Sequence, residues 1–282
     1  MNCKNISSYA KINLFLEVIG RLPDGYHLLQ SVMHSVDISD SVTVSLNNSG
    51  QYTVNCSSGD IPPESNLAIK AAKCFYENSN ADFTGVHIDI EKRIPMCAGL
   101  AGGSTDAAAV FVALNDLHGE IFSRERLCAL GKKVGADVPF CILGKAAFAQ
   151  GIGEVLAPIE PLPECYIVVA IGNGEEISTK WAFSQLDNDT DREIQNVEGI
   201  LDAMSSGDLE CISSRLYNVF ETVSPHNQQI KSIMMKHSAC GVLMSGSGPS
   251  IFGLFKTEND AKNAEQELKN EGNRAFFCKP IR

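Results

Sequence analysis

The run Pro95-Met96-Cys97-Ala98-Gly99-Leu100-Ala101-Gly102-Gly103-Ser104-Thr105 places three glycines and two hydroxyls directly ahead of an alanine-rich stretch, TDAAAVFVALNDL. Glycines let the main chain approach phosphate oxygens, and a helix start adds unpaired N–H groups and the positive end of the helix dipole. A phosphate-binding loop is one reading; a flexible loop before a buried helix is the other. The spacing is neither GxxxxGK[ST] nor GxGxxG, which excludes a P-loop and a Rossmann fingerprint. A second cluster, SGSGPS at 245–250, reads either as a further anion loop or as a strand-to-strand turn.

Two charged residues lie in apolar or small surroundings. Lys11 stands in YAKINLFL, at the head of a strand pattern, and Asp137 in GADVPFCIL, where Pro139 pushes Val138 toward extended backbone. Ionised groups in such contexts are paired or functional. Each can be a structural salt bridge. Together they can be an acid–base pair in which Asp137 accepts a hydroxyl proton while Lys11 keeps it ionised and steadies developing charge.

The elements that must hold these residues alternate without a regular βαβ rhythm, so α+β fits better than a doubly wound sheet. Residues 12–19 are apolar and β-branched, and RLPDGYH supplies turn chemistry. Residues 42–46, 52–56 (around the turn NNSG) and 86–90 alternate as strands, and residues 66–76 carry helical spacing. The Ala-rich stretch after the glycines is a helix, with Ser, Thr and Asp in its first turn suited to the N-terminus. In the second half, 166–171 and IFGLF read as strands, 190–215 as polar amphipathic helix, 260–271 as charged helix and 275–278 as a closing strand. A Pro-rich connection at 158–163 marks a soft boundary, giving segments 1–158 and 159–282.

YAKIN, PMCAGLAGGSTDAA and SGSGP, in this order, resemble the galactokinase, homoserine kinase, mevalonate kinase and phosphomevalonate kinase superfamily. AKINLFLEV, RLPDGYHLLQSVM, KRIP, GADVPF, AAFAQGIGE and YNVFE span nearly the whole chain and look closer still to one branch, the 4-diphosphocytidyl-2-C-methyl-D-erythritol kinases. GADVPF and the DGYH turn are the specific segments; the Gly-rich loop alone marks the superfamily. Ala98 and Ala101 stand where the family often has Gly, Thr105 where Ser is common, and Val219 where an acidic residue is frequent.

The resemblance implies a two-domain α+β kinase fold with the active site in the interdomain cleft, the N-terminal segment binding ATP. The implied reaction is ATP-dependent phosphorylation of the 2-hydroxyl of 4-diphosphocytidyl-2-C-methyl-D-erythritol, in the non-mevalonate route to isoprenoid precursors. By it Lys11 and Asp137 are the catalytic pair, residues 95–105 hold the ATP phosphates, and Asn66 and Lys92 contribute to the nucleotide pocket. Tyr26, His27 and Phe183 form the cytidine pocket and Asn13 lies near the methylerythritol end. Two rings can sandwich a flat pyrimidine, with His27 on the base edge. Mg²⁺ accompanies ATP, its protein ligands unassigned.

Two alternatives compete with this reading. A sister kinase for homoserine or mevalonate has no base to stack, so the DGYH turn argues against it. A non-catalytic binding module needs neither Lys11 nor Asp137.

Composition narrows the setting. The 282 residues carry a formal charge of −11, which argues against broad nucleic-acid or anionic-membrane binding. No apolar run approaches a membrane span, and the first residues carry no secretory pattern. Ten scattered cysteines without CxxC read as mostly small core residues in a reducing compartment, the cytoplasm. The histidines form no zinc pattern. The expected partners are the two small-molecule substrates, with the protein a monomer or homodimer.

Overall fold

The computed structural model describes residues 2–59, 62, 65–172, 177–188, 192–224 and 228–282. The chain divides into two compact units, each discontinuous in sequence. The first comprises Met1–Ala10, Ile38–Met96 and Ala101–Gly144; the second comprises Lys11–Asp37, Cys97–Leu100 and Lys145–Arg282.

Two long strands, β1 (Cys3–Arg21) and β2 (His27–Leu46), contribute residues to both units. The first unit adds β3 (Tyr52–Cys56), α1 (Leu67–Glu77), β4 (Val86–Glu91), α2 (Gly102–Leu117), α3 (Arg124–Gly131) and α4 (Val138–Leu143). The NNSG turn does not set β3 beside β2. β4 pairs antiparallel with β2, and β3 pairs parallel with β4 on its far side. In β4 the residues Val86, Ile88 and Ile90 point inward while Asp89 and Glu91 face out, the period of two expected of a strand with one covered face. That face packs with α1 and α2, whose Phe75 and Phe111 are fully buried. α2 is buried nearly all round, which is why its sequence is rich in alanine and apolar residues.

The second unit adds β5 (Ala146–Gln150), β6 (Val155–Pro158), β7 (Tyr166–Ile171), α5 (Thr179–Leu186), α6 (Glu198–Ser206), α7 (Leu209–Ser213), β8 (Tyr217–Asn218), α8 (Phe220–Val223), α9 (Gln228–Lys236), β9 (Gly241–Met244), β10 (Ile251–Phe255), α10 (Glu258–Asn270) and β11 (Arg274–Cys278). β5 pairs with β2 and β6, and β8 runs parallel to β1 at Phe15 and Leu16. A separate four-stranded sheet has the order β11-β7-β10-β9. Its central strands are buried along almost their whole length, so they read in sequence as unbroken apolar runs.

Several expectations are corrected. Lys11 lies in the middle of β1 and not at its head. Val138 is helical, because Pro139 occupies the first turn of α4, where its missing N–H costs nothing. The stretch 190–215 is two short helices broken at Gly207, whose φ of +67° ends α6; residues 190 and 191 lie outside the described residues. No Ser, Thr or Asp side chain caps α2. All ten cysteines are free thiols, but only Cys74, Cys165 and Cys278 are buried. Among the described residues no helix is long and apolar enough to cross a membrane.

Candidate active site

In the first unit the Gly-rich run enters α2 through Ala101, a left-handed residue (φ 60°). The helix opens at Gly102 without a side-chain cap, and the Thr105 hydroxyl turns back to the Gly102 carbonyl (2.8 Å). The N–H groups of the first turn therefore face outward with no side chain on them, the arrangement that attracts an anion.

Lys92, expected at the nucleotide, lies beside this turn. A Cβ built on Gly102 would sit 3.3 Å from its Nζ. The ammonium is already engaged by two buried carboxylates, Asp40 and Asp106 (2.8 Å to the latter). Asp40 also accepts from the N–H groups of Arg93 and Ile94, and Asp106 from the Ser8 hydroxyl. Burial alone would lower Lys92, but the two carboxylates outweigh it and hold the ammonium above its usual range. Burial pushes the Asp106 carboxyl up to about 6, and the neighbouring Asp40 carboxylate adds to this against the pull of Lys92. Asn66 is buried and caps α1, its Oδ1 accepting from the Ala68 N–H (2.9 Å). Asp137 stands at the N-cap of α4 without capping it.

In the second unit Lys11 and Asn13 share one face of β1, two residues apart. Lys11 is 4% exposed, and its Nζ donates to Asn13 Oδ1 (2.6 Å). The same Oδ1 accepts from the Gly246 N–H (3.0 Å), and Asn13 Nδ2 donates to the Ser31 hydroxyl. The Lys11 N–H reaches the Leu100 carbonyl (3.2 Å). The segment SGSGPS joins β9 to β10 and packs on the backbone of residues 98–99: Ser245 Oγ donates to the Gly99 carbonyl (3.1 Å) and Ser250 Oγ to that of Ala98.

Of the three residues expected around a base, the structure brings together two. The His27 and Phe183 rings stack at 4.4 Å and 20°, and Phe183 meets Phe220 edge-on. Tyr26, after the positive-φ turn at Gly25, is 60% exposed.

Sequence reasoning missed the residues that brace this site. Asp40 and Glu17 are charged groups in apolar strands, the same signal that singled out Lys11. Glu17 is fully buried and accepts from Arg192 and the Gln195 N–H. Asn218, inside YNVFE, donates to the carbonyls of Met244 and Gly246. Asp187, bound to His27, carried no sequence signal.

Comparison with known proteins agrees in both halves of the chain. Residues 66–145 match the GHMP kinases N terminal domain and residues 190–274 the GHMP kinases C terminal domain. A 4-diphosphocytidyl-2-C-methyl-D-erythritol kinase of Alkaliphilus metalliredigens is 41% identical over 93% of this chain and 91% of its own. A crystal structure of 4-(cytidine 5'-diphospho)-2C-methyl-D-erythritol kinase superposes with a TM-score of 0.82 at 33% identity, covering 99% of this chain and all of that one. Homoserine kinase from Cytophaga hutchinsonii shares the fold (TM-score 0.78, 19% identity, 100% and 98% covered). The chain belongs to the GHMP kinases, within the 4-diphosphocytidyl-2-C-methyl-D-erythritol kinase family.

Proposed function

We propose that the protein transfers the γ-phosphoryl group of ATP to the 2-hydroxyl of 4-diphosphocytidyl-2-C-methyl-D-erythritol, in the non-mevalonate route to isoprenoid precursors. Its use of ATP follows from membership of the GHMP kinases. The observation that carries the reading is the start of α2, a helix without a side-chain cap entered through left-handed backbone at Gly99 and Ala101. Residues 95–105 cradle the triphosphate there, with Asn66 and Lys92 supporting the nucleotide pocket.

Asp137 accepts the proton of the attacking hydroxyl. Lys11, its ammonium aimed by Asn13, neutralises charge as the phosphoryl group moves, which suits a loose transition state served by positioning and electrostatics. Tyr26, His27 and Phe183 hold the cytidyl group, and Asn13 lies toward the methylerythritol end. Mg²⁺ is a hard ion held mainly by nucleotide phosphates and one or two oxygen donors. The Ser104 hydroxyl and the Asp137 carboxylate are donors of that kind, and the ion would neutralise the β- and γ-phosphates. Segments 1–158 and 159–282 form the ATP-binding and C-terminal halves of a cytoplasmic enzyme, monomer or homodimer.

A coupled ADP-release assay across this substrate, homoserine and mevalonate tests the reading. Turnover of the cytidyl substrate is expected; its absence beside robust turnover of either other alcohol overturns the assignment. Asp137→Asn should then lower kcat by about 10²–10⁴-fold with the KM for ATP nearly unchanged.

A further inference from the structure

His27 is held on two sides. Phe183 covers one face of the imidazole at 4.4 Å, fixing the ring plane. Its Nε2 lies 2.8 Å from Asp187 Oδ1, at the C-terminal end of α5. Asp187 is held in turn: its other oxygen accepts from Arg21 Nη1 at 3.1 Å, and Arg21 Nε donates to the Gly25 carbonyl of the turn that presents His27. Arg21, Asp187 and His27 thus form a chain of polar contacts across β1, the 22–26 turn and α5. Together with Arg192 and Ile194 they line a cavity of about 240 Å³.

An ionised carboxylate only accepts, so the nitrogen facing it must carry a proton. In the neutral ring, which nitrogen is protonated is set by the hydrogen bond the other makes. With Nε2–H committed to Asp187, Nδ1 is an acceptor. Resting on the reading that His27 meets the cytidyl group, we propose that Asp187 is a positioning residue that selects cytosine over uracil by holding His27 in the Nε2–H form. Cytosine presents an exocyclic amino group that donates to an acceptor at Nδ1. Uracil presents a carbonyl oxygen at the same place, and two acceptors facing one another are left unpaired. Asp187 touches neither substrate in this scheme; it acts through His27, and Arg21 keeps it aimed.

The test compares the wild type with Asp187→Ala and Asp187→Glu at pH 8, using 4-diphosphocytidyl-2-C-methyl-D-erythritol and its uridyl counterpart. Asp187 is exposed at a helix end, so the substitutions leave the core intact. In Asp187→Ala the KM for the cytidyl substrate should rise about twofold, the factor by which an evenly mixed tautomer population dilutes the accepting form. The KM for the uridyl substrate should fall, because the Nδ1–H form donates to its carbonyl, while the KM for ATP and kcat stay close to wild type. Asp187→Glu should restore most of the preference. ¹⁵N NMR of the free enzyme should show Nε2 protonated in the wild type and the tautomers mixed in Asp187→Ala, independently of turnover. A wild type with no preference between the two substrates overturns the cytidyl reading of the site. A wild-type preference that persists in Asp187→Ala, or equal loss on both substrates, overturns only the role of Asp187.

Discussion

The two glycine-rich segments of this chain use glycine for different physical reasons. At 97–103 the backbone delivers the unclaimed N–H groups of α2 to solvent. At 245–249 the N–H groups of Ser245, Gly246 and Gly248 are claimed by protein. The Gly246 N–H bonds Asn13, the Gly248 N–H bonds the Ser245 carbonyl, and Asn218 takes the carbonyls of Met244 and Gly246. Glycine there permits close approach: Cβ atoms on Gly246 would meet the Gly99 backbone at 3.1–3.2 Å. The first loop is the proposed phosphate site, and the second is the floor under residues 98–99. A count of glycines cannot separate the two; the partners of the N–H groups can.

Their anchors differ as well. The start of α2 is tied by charge, through Asp106, Lys92 and Asp40, whereas the floor is tied by the neutral amides of Asn13 and Asn218. Lys92→Met gives the largest expected effect. It leaves two buried carboxylates without their cation, a loss of about 3–5 kcal/mol, read as the midpoint of chemical denaturation. The raised Asp106 carboxyl gives that loss a pH signature. Lys92 is what pulls that carboxyl down, so in Lys92→Met it takes up its proton at higher pH than in wild type, and acidification relieves the variant more than the wild type. The gap between wild type and Lys92→Met should therefore narrow from pH 7.5 to pH 5. A gap that widens on acidification would show that the network is not held by charge.

Gly99→Ala comes next. A Cβ there would overlap the Ser245 carbonyl oxygen, and the φ of +74° is itself unfavourable for alanine. Strain and overpacking together should lower stability by about 2–4 kcal/mol and raise the KM for ATP, since the loop must move off its floor. Wild-type values of both would mean that the two loops do not pack as described.

Asn218→Ala sharpens the contrast from the other side. It orphans two buried carbonyls and the Phe220 N–H, a loss of about 1–3 kcal/mol. Below the melting temperature the KM for ATP should be unchanged, because the floor offers the nucleotide nothing directly. A rise in that KM as large as the one in Gly99→Ala would make SGSGPS a ligand surface in its own right.

Local pattern carried much of the fold. The strands at 86–91, 166–171 and 251–255 and the helices α1 and α2 follow from periodicity and apolar runs. Pattern misled where position within an element decides the outcome. A proline disfavours helical backbone in the residue before it, yet at the second position of a helix it is welcome. A side-chain contact follows from spacing where partners lie two apart on one strand, as with Lys11 and Asn13. The site was illegible where partners lie far apart: Lys92 with Asp40, His27 with Asp187 and Asn13 with Gly246 are tertiary pairs that no spacing encodes. The sequence of SGSGPS fits both an anion loop and a strand-to-strand turn; the structure has it joining β9 to β10 and supporting the backbone of residues 98–99.

The smallest expected effect concerns a methyl group in the proposed phosphate loop. Ala101 holds φ at 60°, where the Cβ crowds the following carbonyl at about 1–2 kcal/mol relative to right-handed backbone. Ala101→Gly removes that strain and adds freedom to the unfolded chain, which returns part of the gain. The net should be a stabilisation of about 0.5–1 kcal/mol, read by chemical denaturation. The N–H groups of Gly102, Gly103 and Ser104 are the same in both proteins, so the KM for ATP should change by less than about twofold. This separates backbone from side chain as the source of phosphate affinity in the first loop. If Ala101→Gly instead tightened ATP several-fold without changing stability, the methyl group would be an obstruction inside the anion site, and the loop would hold phosphate less openly than its uncapped helix suggests.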